Sequence, residues 1–187
     1  MDNGVSAGST ASTSTLGNIA LGLTLLAFGG HTGVIDGVSA ANSVSLAMYV
    51  GGAALFLLGL LEYRGGNGFN GTAFAGLGIF WFTWAKGAGA SVSDEAAGTF
   101  LVLFAMLALT LTVAAASGLF SQGVYGLLTL SLVLLAIGSF MDSGGLAKAG
   151  GWVAAVSGLL AWYGATAALA HWPMAVGKSR RGAVAAS

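Results

Sequence analysis

Long uncharged stretches constrain this chain more than any other feature. They run from Asn3 to Ile35, Gly37 to Leu61, Gly65 to Ala85, Ala96 to Met141 and Ala149 to Gly177. A hydrocarbon core of about 30 Å is crossed by about 20 helical residues at 1.5 Å each, and the stretches supply that length about six times over. Only 6% of the 187 residues are charged, where a soluble domain carries about 25%, which excludes a water-exposed globule. Mean hydropathy is +0.88. The expected fold is an all-α integral membrane protein with six transmembrane helices.

Composition then removes several function classes. Six Lys and Arg balance six Asp and Glu, and the one basic cluster is Lys178, Arg180 and Arg181, so there is no electrostatic footprint for nucleic acid. Without cysteine there is no disulfide, thiolate metal site or cysteine nucleophile. The two histidines, His31 and His171, cannot build a metal cage alone, so neither metal nor cofactor is expected. The sequence has no phosphate loop with its Lys, no HExxH, no GxSxG and no carboxylate pair inside an apolar span. An enzyme is not expected, whereas a channel or carrier can work with hydroxyls, amides and backbone dipoles.

Residues 1–15, small and polar, read as a mobile N-terminal tail. Residues 16–172 are the six-helix membrane domain, and 173–187 are a cationic tail. The first span is expected from Leu16 to Ile35 and the second from Ser43 to Tyr63. The third, from Thr72 to Ala85, is short and should begin or end irregularly. The 46 uncharged residues from Ala96 to Met141 must turn, with SGLFSQG at 117–123 the natural place. The sixth span runs from Ala149 to His171. Arg64, Lys178, Arg180 and Arg181 lie on the side of the termini and Lys86 and Lys148 on the other, which puts both termini in the cytoplasm. Small residues four apart, including Ala47 with Gly51, Ala154 with Gly158 and Ala161 with Ala165, permit close helix approach in lipid.

Polar residues within the spans include Asn18, Thr24, Ser45, Thr83, Thr112, Thr129, Ser131 and Ser157. Most should bond their own i−4 carbonyls and a minority should line a path. The sharpest signal lies between Gly51 and Phe82. There Glu62 ends an apolar span, and a glycine-rich loop at 65–71 opens the next helix near Thr72, offering free N–H groups and a positive dipole end to an anion. Asn67 and Thr72 would contact that anion or hold the loop, and simple N-capping is the alternative. For Glu62 the alternative is an interfacial ion pair with Arg64.

In this segment GLLEY, GN, F-x-G-TAF with a polar Asn70 inside it, and G-x-FW stand at the spacing of the AceTr acetate uptake transporters. Leu16-Gly17, Gly22, Thr24 and His31 resemble that family's first helix, and LLAIG at 134–138 its fifth, so the resemblance covers about Leu16 to Ala170. One motif departs: the family's entrance Asn-Pro-Ala-Pro-Leu-Gly is here Ser12-Thr13-Ser14-Thr15-Leu16-Gly17. The family's constriction of a Phe, a Tyr and a Leu maps onto Leu21, Leu77 and Leu128, residues that would otherwise be read as packing or lipid-facing.

The resemblance implies a homohexamer in a prokaryotic inner or plasma membrane, each protomer with its own path for acetate or related small carboxylates such as succinate, as a channel or with protons. Substrate-binding or pore residues would be Leu21, Thr24, Glu62, Asn67, Thr72, Leu77, Leu128 and Thr129. Two other classes stay open: a hexameric channel for small neutral solutes such as urea or amides, and a membrane sensor of acetate.

Overall fold

The computed structural model describes residues 3–30, 40–88, 90, 92–115 and 118–172. His31, Asp36 and the cationic tail from residue 173 therefore lie outside the described residues, as does 117 of the expected turn. Among the described residues every regular element is helical. These are α1 (Asn3–Gly29), α2 (Ala40–Leu46), a π-helical segment (Ala47–Ala54), α3 (Leu55–Arg64), α4 (Gly68–Gly87), α5 (Asp94–Ala114), α6 (Leu119–Phe140) and α7 (Gly144–Leu169). The rod formed by α2, the π segment and α3 is long and apolar enough from Asn42 to Arg64 to cross a bilayer, as are α5, α6 and α7. The apolar part of α1, Thr13–Gly29, is shorter, and α4 has 20 residues. Together they make six rods.

Three boundaries differ from expectation. α1 begins at Asn3, so the segment expected as a tail continues the first helix. Extending an existing helix costs far less than nucleating one, and Ser, Thr, Ala and Gly do not forbid it. α4 is a regular helix rather than a short, irregular one, because Asn67 caps its start: the side chain accepts from Asn70 N at 3.2 Å. α6 starts at Leu119, within the stretch expected as a turn. Its N-cap, Gly118, has φ 121°, a conformation natural only to glycine, so the chain reverses in fewer residues.

The helices pack as an arc. α7 lies against α1 and α6, α6 against α5, and α4 against α3 and the π segment, with α1 closing onto α3 and the π segment. Lipid tails are as apolar as Leu, so contact between these helices rests on close backbone approach and hydrogen bonds. At the α1–α7 seam a Cβ on Gly158 would stand 2.8 Å from Gly22 O, and one on Gly29 would stand 2.8 Å from Gly151 O. Seven residues separate the two positions on each helix, so both contacts fall on one face. Two serines add bonds between α6 and α7: Ser131 Oγ donates to Gly150 O at 2.8 Å and Ser157 Oγ to Val124 O at 2.8 Å. α4 is the most enclosed helix, with Phe74, Leu77, Phe80 and Trp81 fully buried.

Gly158→Val is expected to force α1 and α7 apart, because the atoms opposing the new side chain are the Gly22 and Leu26 backbone and Leu25 Cβ, none of which can swing away. Overpacking of this kind costs about 1 to 3 kcal/mol. A lowered thermal unfolding temperature of the purified protein in detergent would register it, while Gly123→Ala, where a Cβ meets open space, should change little.

Candidate functional site

A cavity of about 240 Å³ opens among the N-terminal part of α1, the starts of α4 and α6 and the end of α7. Its polar lining is Ser14, Thr15, Asn18, Asn70 and Ser121, its aromatic walls are Phe69, Phe120 and Tyr125, and α7 contributes small residues from Ala161 to Ala168. Phe69 and Tyr125 meet edge-on with ring centroids 5.7 Å apart, joining α4 to α6. None of the lining residues is charged.

One carboxylate stands behind this wall. Glu62 has no solvent exposure, and its two oxygens accept from Ser14 Oγ at 2.9 and 2.8 Å. Asn70 Nδ2 donates to Ser14 Oγ at 2.9 Å and reaches Glu62 Oε2 at 3.5 Å. The hairpin between α3 and α4 sets this up. Gly66, at φ 81°, lets the chain turn, Asn67 N donates to Glu62 O at 2.9 Å, and the Asn67 cap fixes Asn70 in the first turn of α4. Glu62 is thus turned inward onto two neutral donors, not outward to the exposed Arg64. The interfacial ion pair considered for it is replaced by a buried cluster, because Ser14 and Asn70 offer the carboxylate hydrogen bonds that water would otherwise supply.

Thr72 and Tyr63 brace the outside of the same hairpin. Thr72 Oγ1 donates to Gly68 O at 2.8 Å and lies 2.7 Å from Tyr63 OH, and Thr72 is exposed. Neither Thr72 nor Asn67 is among the cavity lining. Thr129 also faces elsewhere: Oγ1 donates to Tyr125 O at 2.8 Å, stands 3.3 Å from Thr112 Oγ1 and borders an apolar groove between α5 and α6. Thr24 is fully buried and donates to Ala20 O at 2.7 Å.

Leu21, Leu77 and Leu128 are 0%, 0% and 1% exposed and belong to one core cluster. Their register relative to the cavity is regular. Each lies seven residues beyond a polar lining residue on its own helix: Ser14 on α1, Asn70 on α4 and Ser121 on α6. As the first, third and fifth rods, these helices run in the same direction. Seven residues are two turns, about 10 Å of descent with little rotation, which puts the leucines at a common depth below the cavity. Between the two levels the Phe74 ring packs on the Gly17 backbone.

Neither Ser14 nor Ser121 is among the site residues expected from the sequence, where Ser14 enters only as part of the departing entrance segment and Ser121 falls in the expected turn. The polar Asn70 inside F-x-G-TAF was the available signal.

Residues 3–174 match the GPR1/FUN34/yaaH family. The succinate-acetate/proton symporter SatP of Escherichia coli K12 is 30% identical over 163 residues, covering 82% of this chain and 85% of that protein. Ammonia transport outward protein 3 of Saccharomyces cerevisiae is 32% identical over 145 residues, 70% of this chain and 51% of that protein. Among solved structures, the bacterial acetate channel SatP superposes with a TM-score of 0.80 at 26% identity, covering 88% of this chain and 98% of that one.

The Ser14–Glu62–Asn70 cluster is expected to behave as a unit. Asn70→Leu should destabilise the protein by about 0.5 to 1.5 kcal/mol, the net worth of its hydrogen bond to Ser14. The same change made in a Glu62→Leu background should cost clearly less. Thermal unfolding of the four proteins of this cycle measures the coupling, and additive costs would deny it.

Proposed function

This chain belongs to the GPR1/FUN34/yaaH family, and from that premise we propose that it carries acetate and related small carboxylates such as succinate across the membrane. The observation that carries the reading is the register of the path: a polar, uncharged cavity stands two helical turns above three buried leucines on parallel helices. The substrate class follows the succinate-acetate symporter and acetate channel to which the chain is similar. The path runs inside each protomer of a homohexamer. The protein sits in a prokaryotic inner or plasma membrane with both termini in the cytoplasm, the side favoured by Arg64 and the basic tail. The polar cavity then opens on the cytoplasmic side.

Leu21, Leu77 and Leu128 form the constriction. An apolar ring opposes a hydrated anion, because stripping a charge of water without a partner is far costlier than desolvating a neutral acid. Ser14, Asn70 and Ser121 assemble the solute above the ring, and Thr24 receives it below. Glu62, held by Ser14 and Asn70, is the protein's own candidate for a proton. The substrate is the other, since a carboxylic acid titrates near about 4, the Asp and Glu reference. Uptake should therefore rise as the pH on the substrate side falls. If the profile survives Glu62→Gln, the proton travels on the substrate, and if it collapses, Glu62 carries it.

A second reading, passage of small neutral solutes such as urea or amides, is favoured by the uncharged lining and by similarity to ammonia transport outward protein 3. Labelled acetate and labelled urea, offered to the same proteoliposomes, decide between them. Acetate uptake blocked by unlabelled acetate but not by urea is expected, and the opposite pattern would replace the carboxylate reading.

Leu77→Ala should widen the ring and raise succinate uptake relative to acetate. If Leu77 only packs, its truncation costs about 2 to 5 kcal/mol and lowers both fluxes alike. The succinate-to-acetate ratio in the same vesicles is the deciding quantity, and an unchanged ratio with reduced protein yield removes Leu77 from the constriction.

A further inference from the structure

Among the described residues two buried side-chain polar atoms have no hydrogen-bond partner, Trp81 Nε1 and Ser43 Oγ. Both lie beyond the leucines as seen from the cavity. Trp81 is four residues past Leu77 on α4, and Ser43 is near the start of α2, at the opposite membrane face. Buried donors are almost always paired, so an orphaned indole N–H inside a transport path invites a ligand.

Its surroundings say which ligand. Thr24 is three residues past Leu21, so Thr24 and Trp81 both stand about one turn below the leucine ring, and both are fully buried. They converge on Gly51 of the π-helical segment. A Cβ at Gly51 would lie 2.5 Å from Thr24 Cγ2, 3.0 Å from Thr24 Oγ1 and 2.9 Å from Trp81 Cγ. The indole is held by edge-on contacts with Phe28 at 5.2 Å and Phe80 at 4.6 Å between centroids. Its N–H is a free donor in a fixed ring. Thr24 has its proton committed to Ala20 O at 2.7 Å, which leaves its oxygen as an acceptor.

We propose that Trp81 Nε1 and Thr24 Oγ1 form a subsite on the far side of the leucine ring for the undissociated form of a small carboxylic acid. The acid's carbonyl oxygen accepts from Trp81 Nε1–H, and its O–H donates to Thr24 Oγ1. A carboxylate ion has acceptors only and would set a lone pair against Thr24 Oγ1, so the pair discriminates by protonation state. The proton stays on the substrate throughout. Thr24 and Trp81 both pack directly on the Gly51 backbone, where a side chain would push them aside, and π-helical segments are frequent at functional sites. This inference rests on the carboxylate reading above and deepens it.

The test uses the full chain in proteoliposomes, with Trp81→Phe, which keeps a ring and removes the N–H, and Thr24→Val, which keeps the shape and removes the acceptor. Each should raise the KM for acetate about two- to tenfold, the worth of one neutral hydrogen bond, with the maximal rate and the oligomer retained. Acetamide, a neutral molecule with both a donor and an acceptor, should inhibit wild-type uptake, and its inhibition should weaken in Trp81→Phe. Permanently ionised methanesulfonate should not compete. If Trp81→Phe does not assemble, Thr24→Val alone decides. Wild-type KM in an assembled variant, or competition by methanesulfonate equal to that of acetate, overturns the subsite. A wild-type protein that takes up no acetate overturns the carboxylate reading itself, which is a separate result.

Discussion

Close backbone contact between α1 and α7 is the constraint from which the rest of the arrangement follows. Burying apolar side chains does little to draw helices together in lipid, so the seam at Gly22 with Gly158 and Gly29 with Gly151 must work through short-range packing. The contacts leave no room for a Cβ. They fix the height and rotation of α1, and α1 brings Ser14 to the cavity, Leu21 to the proposed constriction and Thr24 below it. α7 in turn is small-residue almost throughout its buried face, from Gly150 to Ala167. The helix that can approach most closely is therefore also the one that leaves space along the cavity wall.

The buried carboxylate performs a second fastening. Ser14 lies 48 residues from Glu62, and Asn70 lies 56 from Ser14, so this cluster ties the N-terminal part of the chain to the hairpin between α3 and α4. It contains no cation. Neutral donors hold an acidic group beside a cavity without placing a fixed positive charge in it, and a fixed positive charge would bind an anion too tightly for turnover. Two of its three members stand at the departures that the sequence shows from the AceTr motifs, Ser14 in the entrance segment and Asn70 within F-x-G-TAF. The contact between them is direct, so the two departures are one structural feature.

How much of this was legible in the sequence depended on whether the cause was local. The all-helical membrane fold was legible because lipid imposes length and apolarity on every span alike. The start of α1 was not, since a Ser/Thr-rich stretch carries no strong preference and continues a helix only because one is already formed behind it. Glu62 was noticed as a carboxylate at a span end, and its partners were not, because hydrogen bonds over 48 and 56 residues leave no local pattern. Thr72 was singled out for a helix start that does exist, but its hydroxyl is spent on Gly68 and Tyr63. The offsets of seven residues that link Ser14, Asn70 and Ser121 to the three leucines are present in the sequence. They acquire meaning only once the three helices are known to share a cavity.

The placement of polar atoms about the leucines bears on the form in which a small carboxylate would cross. From the level of Ser14 to that of Thr24 is ten residues of α1, about 15 Å, and the buried residues between them are apolar. Near pH 7 a carboxylic acid with a pKa of about 4 is protonated once in about a thousand molecules, a disadvantage of about 4 kcal/mol at 1.36 kcal/mol per pH unit. Taking an unpaired carboxylate through an apolar interval costs far more than that, of the order of tens of kcal/mol in a medium of low dielectric constant, against about 2 to 7 kcal/mol for a neutral polar group. The scarcer species therefore has the lower barrier. Neutral polar groups on both sides of the ring suit it: amide and hydroxyls above, an indole N–H and a hydroxyl oxygen below. On this ground the proposed ring of three leucines would select by charge first, and by size only among molecules that have already lost theirs.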